Sequence, residues 1–305
     1  MLQAFKMAAL DRPSRFHCGQ VLSSGVPGWV CKRLFGVPYV VYVYGSESAR
    51  LGRGLQGWLM RRALEECDRV VANSDATSAE FRTFGVPEAR IVRVYPGVDP
   101  HRFRPGPKDP EGVRRYGLEG KRVLLTVARL DQRKGHDVVI RALGRLRETH
   151  PDLVYLIAGM GREEARLRSL AESLQVKDRV RFAGFVPESD LPSVYNLCEV
   201  FVMPNRVTEG TRLEGDVEGF GISFVEAGAC GKPVVAGRSG GAGEAVLEGT
   251  TGLLVDPRSE SEVAEAIGRL LENPQEARRL GEAGRCRAES MFDWDHLVRD
   301  IERIL

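Results

Sequence analysis

Two glutamates eight residues apart, Glu218 and Glu226, flank Gly219-Phe220-Gly221 and the apolar run Ile222–Cys230. A carboxylate suits paired hydroxyl donors, which sugars and ribose present. The glycines let the backbone approach a ligand closely, and a helix begun at Ile222 leaves its first amides unpartnered. Glu218 and the amides of Phe220 and Gly221 are therefore expected to point at a ligand. Glu226, about two turns on, is expected to face the same cleft. A second group is Arg129 and Lys134, just after the apolar run Val123–Val127. Side chains at the carboxyl end of a parallel strand line the crevice of a doubly wound sheet. A forked guanidinium and a point-charge ammonium there can hold two phosphates together.

Weaker signals surround these. Gly159 and Gly161 in Ala158–Gly161, and the turn Gly184–Val186, offer backbone groups after strands, a wall for a nucleotide base. Gly240 and Gly241 precede a helix start and offer amides to an anion. Asp293-Trp294-Asp295 reads as a helix cap with Asp293 at the N-cap. His136 reads as a helix-start residue. No His/Cys/Asp cluster has metal-ligand spacing, so neither metal nor cofactor is expected.

The elements that must position these groups alternate between strand and helix. The first part reads as strand Phe16–Ser24, helix Pro27–Phe35 stopped at Gly36, strand Tyr39–Tyr44, helix Leu55–Glu66, strand Val70–Ala72, helix Thr77–Phe84 and strand Ile91–Tyr95. Met1–Arg15 is poorly patterned. Arg104–Gly112 holds three prolines and two glycines in nine residues, the density of a connection between domains. The second part continues with strands Val123–Val127, Val154–Ala158, Val180–Phe182, Val200–Met203 and Pro233–Ala236. Between and after them come helices His136–Glu148, Glu163–Leu174, Leu191–Leu197, Ile222–Cys230, Ser259–Leu271 and Pro274–Ser290, and a last one from Trp294. This rhythm is that of α/β, Rossmann-like domains. The expected boundaries are a first domain over 1–104, a linker over 105–118, a second domain over 119–290 and a C-terminal helix over 291–305 that packs back on the first.

With 305 residues, 43% of them hydrophobic, the chain can build two cores. It has no run of eighteen apolar residues to span a bilayer. No secretory signal is expected from its opening residues. Its six cysteines are scattered and none forms a CxxC, so they read as buried thiols of a reducing cytosol. Residues 1–104 carry 15 Lys/Arg against 9 Asp/Glu, and the rest 29 against 33. A basic first part suits an acidic acceptor or an anionic membrane surface. Arg50–Arg62, with Trp58 among its arginines, is the candidate patch, although a core-packed helix with an ordinary charged face is the favoured reading of it. No nucleic-acid partner is expected.

The segment Val217–Gly237 resembles the donor-site signature of retaining glycosyltransferases of the GT-B type. Val127–Gly135 (VARLDQRKG), Ala158–Gly161 (AGMG) and Arg181–Asn205 match in the family's order. The resemblance implies two Rossmann-like domains, the N-terminal one shortened by two or three βα units. It implies a nucleoside diphosphate sugar as donor, with Arg129 and Lys134 on its diphosphate, Glu226 on its ribose and Glu218 near its sugar. Gly219, Phe220, Gly221, Gly159, Gly161, Val186, Gly240 and Gly241 are the remaining donor-binding candidates. The family's histidine after the YVVYVY-type strand is replaced by Tyr44, followed by Gly45, Ser46 and Glu47. Tyr44, Gly45 and Glu47 are kept as acceptor-side candidates, because a phenol with a pKa near ~10 is a poor substitute for imidazole. Asn205–Ala242 is similar to mannosyltransferases of phosphatidylinositol mannosides, so the expected reaction moves a hexose, GDP-mannose first, onto a lipid or saccharide hydroxyl with retention. The alternatives are a UDP-sugar transferase and a nucleotide-sugar-binding module. The expected location is cytoplasmic, peripheral on the inner membrane face.

Overall fold

A computed structural model describes residues 2–45, 54–208 and 218–304. The first sheet is built by β1 (Phe16–Cys18), β2 (Tyr39–Val43), β3 (Arg69–Ala72) and β4 (Ile91–Arg93), in that order and all parallel. Around it lie α1 (Leu2–Leu10), α2 (Val26–Phe35), α3 (Gly54–Glu66) and α4 (Asp75–Thr83). The poorly patterned opening is thus a helix. The expected strand Phe16–Ser24 ends at Cys18, because Val21–Gly25 winds into a π-turn that runs straight into α2. Gly36 ends α2 in the left-handed conformation, as the sequence suggests.

The connection between the sheets is not bare. It holds α5 (Pro110–Tyr116), capped by Asp109, whose carboxylate accepts from the amides of Glu111 (3.3 Å) and Gly112 (2.9 Å). Pro110 costs that helix nothing, since its missing N–H lies in the unbonded first turn.

The second sheet comprises β5 (Arg122–Val127), β6 (Leu153–Ala158), β7 (Val180–Gly184), β8 (Val200–Met203), β9 (Val234–Gly237) and β10 (Gly252–Val255). All pairings are parallel, in the order β10-β9-β8-β5-β6-β7. Strand order reverses between β5 and β8, and ligands of open α/β sheets bind at that switch point. Alternation along β5 sends Val123 and Leu125 into one core and Leu124 into the other. The helices covering the faces are α6 (His136–Arg145), α7 (Glu164–Ser173), α8 (Leu191–Asn196), α9 (Ile222–Ala229), α10 (Ala242–Ala245), α11 (Glu260–Glu272), α12 (Pro274–Met291) and α13 (Trp294–Ile304). Among the described residues no helix is long and apolar enough to cross a membrane. Five of the cysteines are buried, and Cys286 is exposed. Burial pushes the thiols of Cys67, Cys198 and Cys230 up to about 12, which makes them poor nucleophiles.

The two sheets are joined by specific bonds. The Glu244 carboxylate accepts from the amides of Asp75 (2.7 Å) and Ala76 (3.0 Å), the first turn of α4. Val98 pairs with the turn before α13, its amide donating to the Phe292 carbonyl at 2.7 Å. Asp293 caps α13 by accepting from the Asp295 amide at 2.9 Å.

One glycine carries the link between β5 and α6. Gly135 has φ +72°, and a Cβ there would stand 2.2 Å from the Pro204 carbonyl oxygen. Gly135→Ala is expected to destabilise the fold by about 2–4 kcal/mol, left-handed strain plus a backbone clash. A urea titration would read this as a lowered midpoint with unchanged slope.

Candidate functional site

The loop leaving β5 is fixed from beneath. His136 donates from Nε2 to the Arg129 carbonyl (3.1 Å), and its Nδ1 accepts from the Tyr155 hydroxyl (2.9 Å). Burial holds the His136 pKa down to about 4, so the ring is neutral and one tautomer serves both bonds. Asp131 then caps a single turn, Gln132–Lys134, by accepting from the Arg133 amide at 3.2 Å. That turn, closed by Gly135, aims Arg133 and Lys134 at the sheet's carboxyl edge.

Glu218 meets them there. Lys134 Nζ donates to Glu218 Oε2, and Arg133 Nη1 lies 3.4 Å from the same oxygen. Arg133 is only 9% exposed. The sequence pairing of Arg129 with Lys134 passed over it, because the residue before a motif lysine reads as a surface cation. Its only sequence signal is Gly135, which forces the turn inward. Burial lowers the Lys134 pKa, and the Arg133 and Arg129 charges also lower it, while Glu218 opposes them. Arg129, Arg133, Lys134 and Glu218 border one cavity of about 580 Å³ between the two sheets.

The loop holding Glu218 is wedged into place. Phe220 is buried, stacked on Tyr95 at 5.2 Å and edge-on to Phe292 at 5.4 Å. Tyr95 also lies under the Arg93 guanidinium at 4.4 Å. At Gly219 a Cβ would stand 2.2 Å from the Tyr44 carbonyl oxygen, so only glycine lets the two domains touch here. Among the described residues nothing accepts from the amides of Phe220 and Gly221, and both residues border the cavity.

Other candidates are placed differently. The Gly241 amide donates to the Glu218 carbonyl (2.9 Å), so it supports the glutamate's loop and is not open to an anion. Gly240, at φ +58°, shapes the same turn. Gly159 and Gly161 pack directly on the backbone of Ala128 and Leu130, where a Cβ would stand 2.0 and 2.3 Å from carbonyl oxygens. Close packing of two loops accounts for both glycines. Val186 lines a separate cavity of about 240 Å³ beside α5.

Glu226 does not border the cavity that holds Glu218. It points toward α8, where its Oε2 accepts from the Tyr195 hydroxyl at 2.6 Å. Burial raises its pKa above the ordinary 4.5, with the Tyr195 bond opposing. Tyr195 was not legible as its partner, because the contact is non-local. On the other domain Tyr44 borders the main cavity at 44% exposure. Gly45, at φ +96°, lies against Gly219 and α4. Ser46, Glu47, Arg50 and Arg53 lie outside the described residues.

Residues 111–287 match the family model described as glycosyl transferases group 1, and residues 2–102 that of glycosyltransferase family 4. A GDP-mannose-dependent α-(1-6)-phosphatidylinositol monomannoside mannosyltransferase of Mycolicibacterium smegmatis is 42% identical over 236 residues, 77% of this chain and 61% of that protein. A D-inositol 3-phosphate glycosyltransferase of Thermobifida fusca is 33% identical over 295 residues, 90% of this chain and 65% of that one. The chain thus spans less than two thirds of the length of these relatives, 61% and 65%. Among solved structures, Anabaena HepE in complex with UDP superposes with a TM-score of 0.87 at 23% identity, over 99% of this chain and 80% of that one. Sucrose-phosphate synthase from Thermosynechococcus elongatus gives 0.84 at 26% identity, over 99% and 76%. These neighbours share two parallel-sheet, Rossmann-like domains, the GT-B architecture. A match over residues 111–287 together with a second over residues 2–102 is a family relationship: the chain belongs to the glycosyl transferases group 1 family.

Proposed function

We propose that the chain transfers a hexose from a nucleoside diphosphate sugar, GDP-mannose first, to an acceptor hydroxyl, with retention at the anomeric carbon. The observation that carries this reading is the convergence of Arg129, Lys134 and Glu218 on one cavity at the strand-order switch point. Arg129 and Lys134 hold the diphosphate and stabilise the charge that develops on it as it leaves, a preorganised effect that needs no movement at the moment of reaction. The bond from the anomeric carbon to the phosphate oxygen lengthens first, through an oxocarbenium-like state. The acceptor oxygen then bonds to that carbon from the same face, and its proton passes to the departing phosphate oxygen. Glu218 and the Phe220 and Gly221 amides hold sugar hydroxyls, and Glu226 holds the ribose from its own side of α9. This chemistry asks for no metal. The acceptor is a lipid or saccharide hydroxyl. A peripheral contact with an anionic membrane fits the exposed Leu55 and Trp58 of α3.

The mannosyl reading rests on the relatives' GDP-mannose dependence, and the retaining course on the family resemblance. The second reading, a UDP-sugar donor, is favoured by the UDP bound in the Anabaena neighbour. Competition decides between them: GDP displacing labelled GDP-mannose at lower concentration than UDP supports the first, and the reverse order supports the second. Labelled donor with acceptor then separates a transferase from a module that binds without turnover.

Glu226 supplies its own prediction. Glu226→Gln is expected to weaken GDP about tenfold, the scale of one charge-assisted hydrogen bond. It should leave the affinity for the 2′,3′-dideoxy nucleotide unchanged. Calorimetry with both nucleotides checks this, and equal losses for the two would remove Glu226 from the ribose.

A further inference from the structure

The cavity has two chemically unlike walls. Among the described residues its charged lining groups, Arg129, Arg133, Lys134 and Glu218, come from the second domain. The described side chains that the first sheet contributes are uncharged, and they stand at the carboxyl ends of β2, β3 and β4. Tyr42 is one, and its hydroxyl is already engaged with His17 Nδ1 at 3.0 Å. Asn73 is another, and it is unlike its neighbours. The residue is 9% exposed, and its Oδ1 is fully buried with no hydrogen-bond partner among the described residues. The Asn73 amide is engaged, donating to the Val43 carbonyl at 3.3 Å. Ser74, next in sequence, spends its hydroxyl on capping α4, accepting from the Thr77 amide at 2.9 Å. The carboxamide therefore holds up neither strand nor helix.

A carboxamide accepts at its oxygen and donates twice at its nitrogen, and buried polar atoms are nearly always bonded. The nitrogen lies against the donor loop, 2.8 Å from where a Cβ on Gly219 would stand, so the group sits where the two domains touch.

We propose that Asn73 is an acceptor-binding residue whose carboxamide bonds a ring hydroxyl of the acceptor, beside the aromatic wall formed by Tyr42, Tyr95 and Trp294. The class of ligand follows from the wall. An uncharged cyclic polyol or pyranoside can lay its C–H face on an aromatic ring and turn an edge hydroxyl to Asn73, whereas an anionic group would find no countercharge among the described residues of this side. The assignment rests on the transferase reading above and adds to it the group that orients the second substrate.

The test uses the whole chain saturated with GDP, titrated with myo-inositol and with methyl α-mannopyranoside while ligand-observed NMR reads binding. Asn73→Ala and Asn73→Leu are compared with the parent. Leucine nearly matches asparagine in shape and removes an unsatisfied buried atom, so its melting temperature should equal or exceed the parent's. The expected result is at least a tenfold loss of affinity for the preferred ring in both variants, with GDP affinity within twofold of the parent. Equal ring affinity in parent and variants would overturn the assignment, as would failure of the parent to bind either ring. Failure of the parent to bind GDP would instead strike the donor reading, and this assignment would fall with it.

Discussion

Replacing Lys134 by alanine is expected to weaken GDP binding by roughly tenfold to a hundredfold. Hydrogen bonds to charged groups contribute about 1.5–3 kcal/mol, and this ammonium is largely withdrawn from water, where screening is weak. The fold should survive, because Glu218 keeps Arg133 at 3.4 Å. The same lysine sets a pH limit. Burial lowers its pKa below the ordinary 10.5. The diphosphate binds the protonated form. Affinity should therefore be full below the lowered pKa and fall as pH rises through it, before 10.5 is reached. Calorimetry of GDP binding across the alkaline range checks both statements: in Lys134→Ala the alkaline decline should vanish. An unaltered affinity in that variant would take the diphosphate away from this lysine.

Glu218→Ala should separate binding from chemistry. Its carboxylate is the shared partner of Arg133 and Lys134, all three with side chains no more than 12% exposed. Removing it leaves like charges facing each other in a poorly solvated site, a loss of about 3 kcal/mol in the free chain. GDP brings negative charge to the same place. The variant should thus bind GDP at least as tightly as the parent and show the larger rise in melting temperature on adding it. Transfer should fall by about a hundredfold, since the group assigned to the donor sugar is gone. The double variant Lys134→Ala/Glu218→Ala should recover part of the lost stability, the mark of a coupled pair. A variant that loses GDP binding and transfer together would mean that Glu218 holds the nucleotide and not the sugar.

The sequence carried much of this architecture because parallel strands write themselves as apolar runs. Tyr39–Val43, Val200–Met203 and Leu153–Ala158 are each buried almost throughout. Where the signal was short it failed. β10 is four residues after a glycine-rich turn, and α10 is a single turn. α5 was hidden inside a Pro/Gly-dense stretch, although Asp109-Pro110 is a legible cap and first-turn pair. In the site, Arg129, Lys134 and Glu218 were legible through their neighbours: the strand before them, Gly135 after them, and the Gly-Phe-Gly turn. The groups that support them were not. Arg133, His136 beneath Arg129 and Tyr195 on Glu226 act through contacts made by residues far apart in the chain, and a local pattern holds no record of those. The two glutamates show the limit well. Their spacing suggested one cleft, but a loop precedes the helix, so helical periodicity does not run between them.

The central claim is that one basic turn after β5 and one acidic loop before α9 receive a single activated sugar. A crystal structure with GDP bound is its most direct test. The account predicts both phosphates within hydrogen-bonding distance of Arg129 and Lys134 and the ribose hydroxyls on Glu226. A pyrophosphate lying away from the turn Gln132–Lys134 would contradict it.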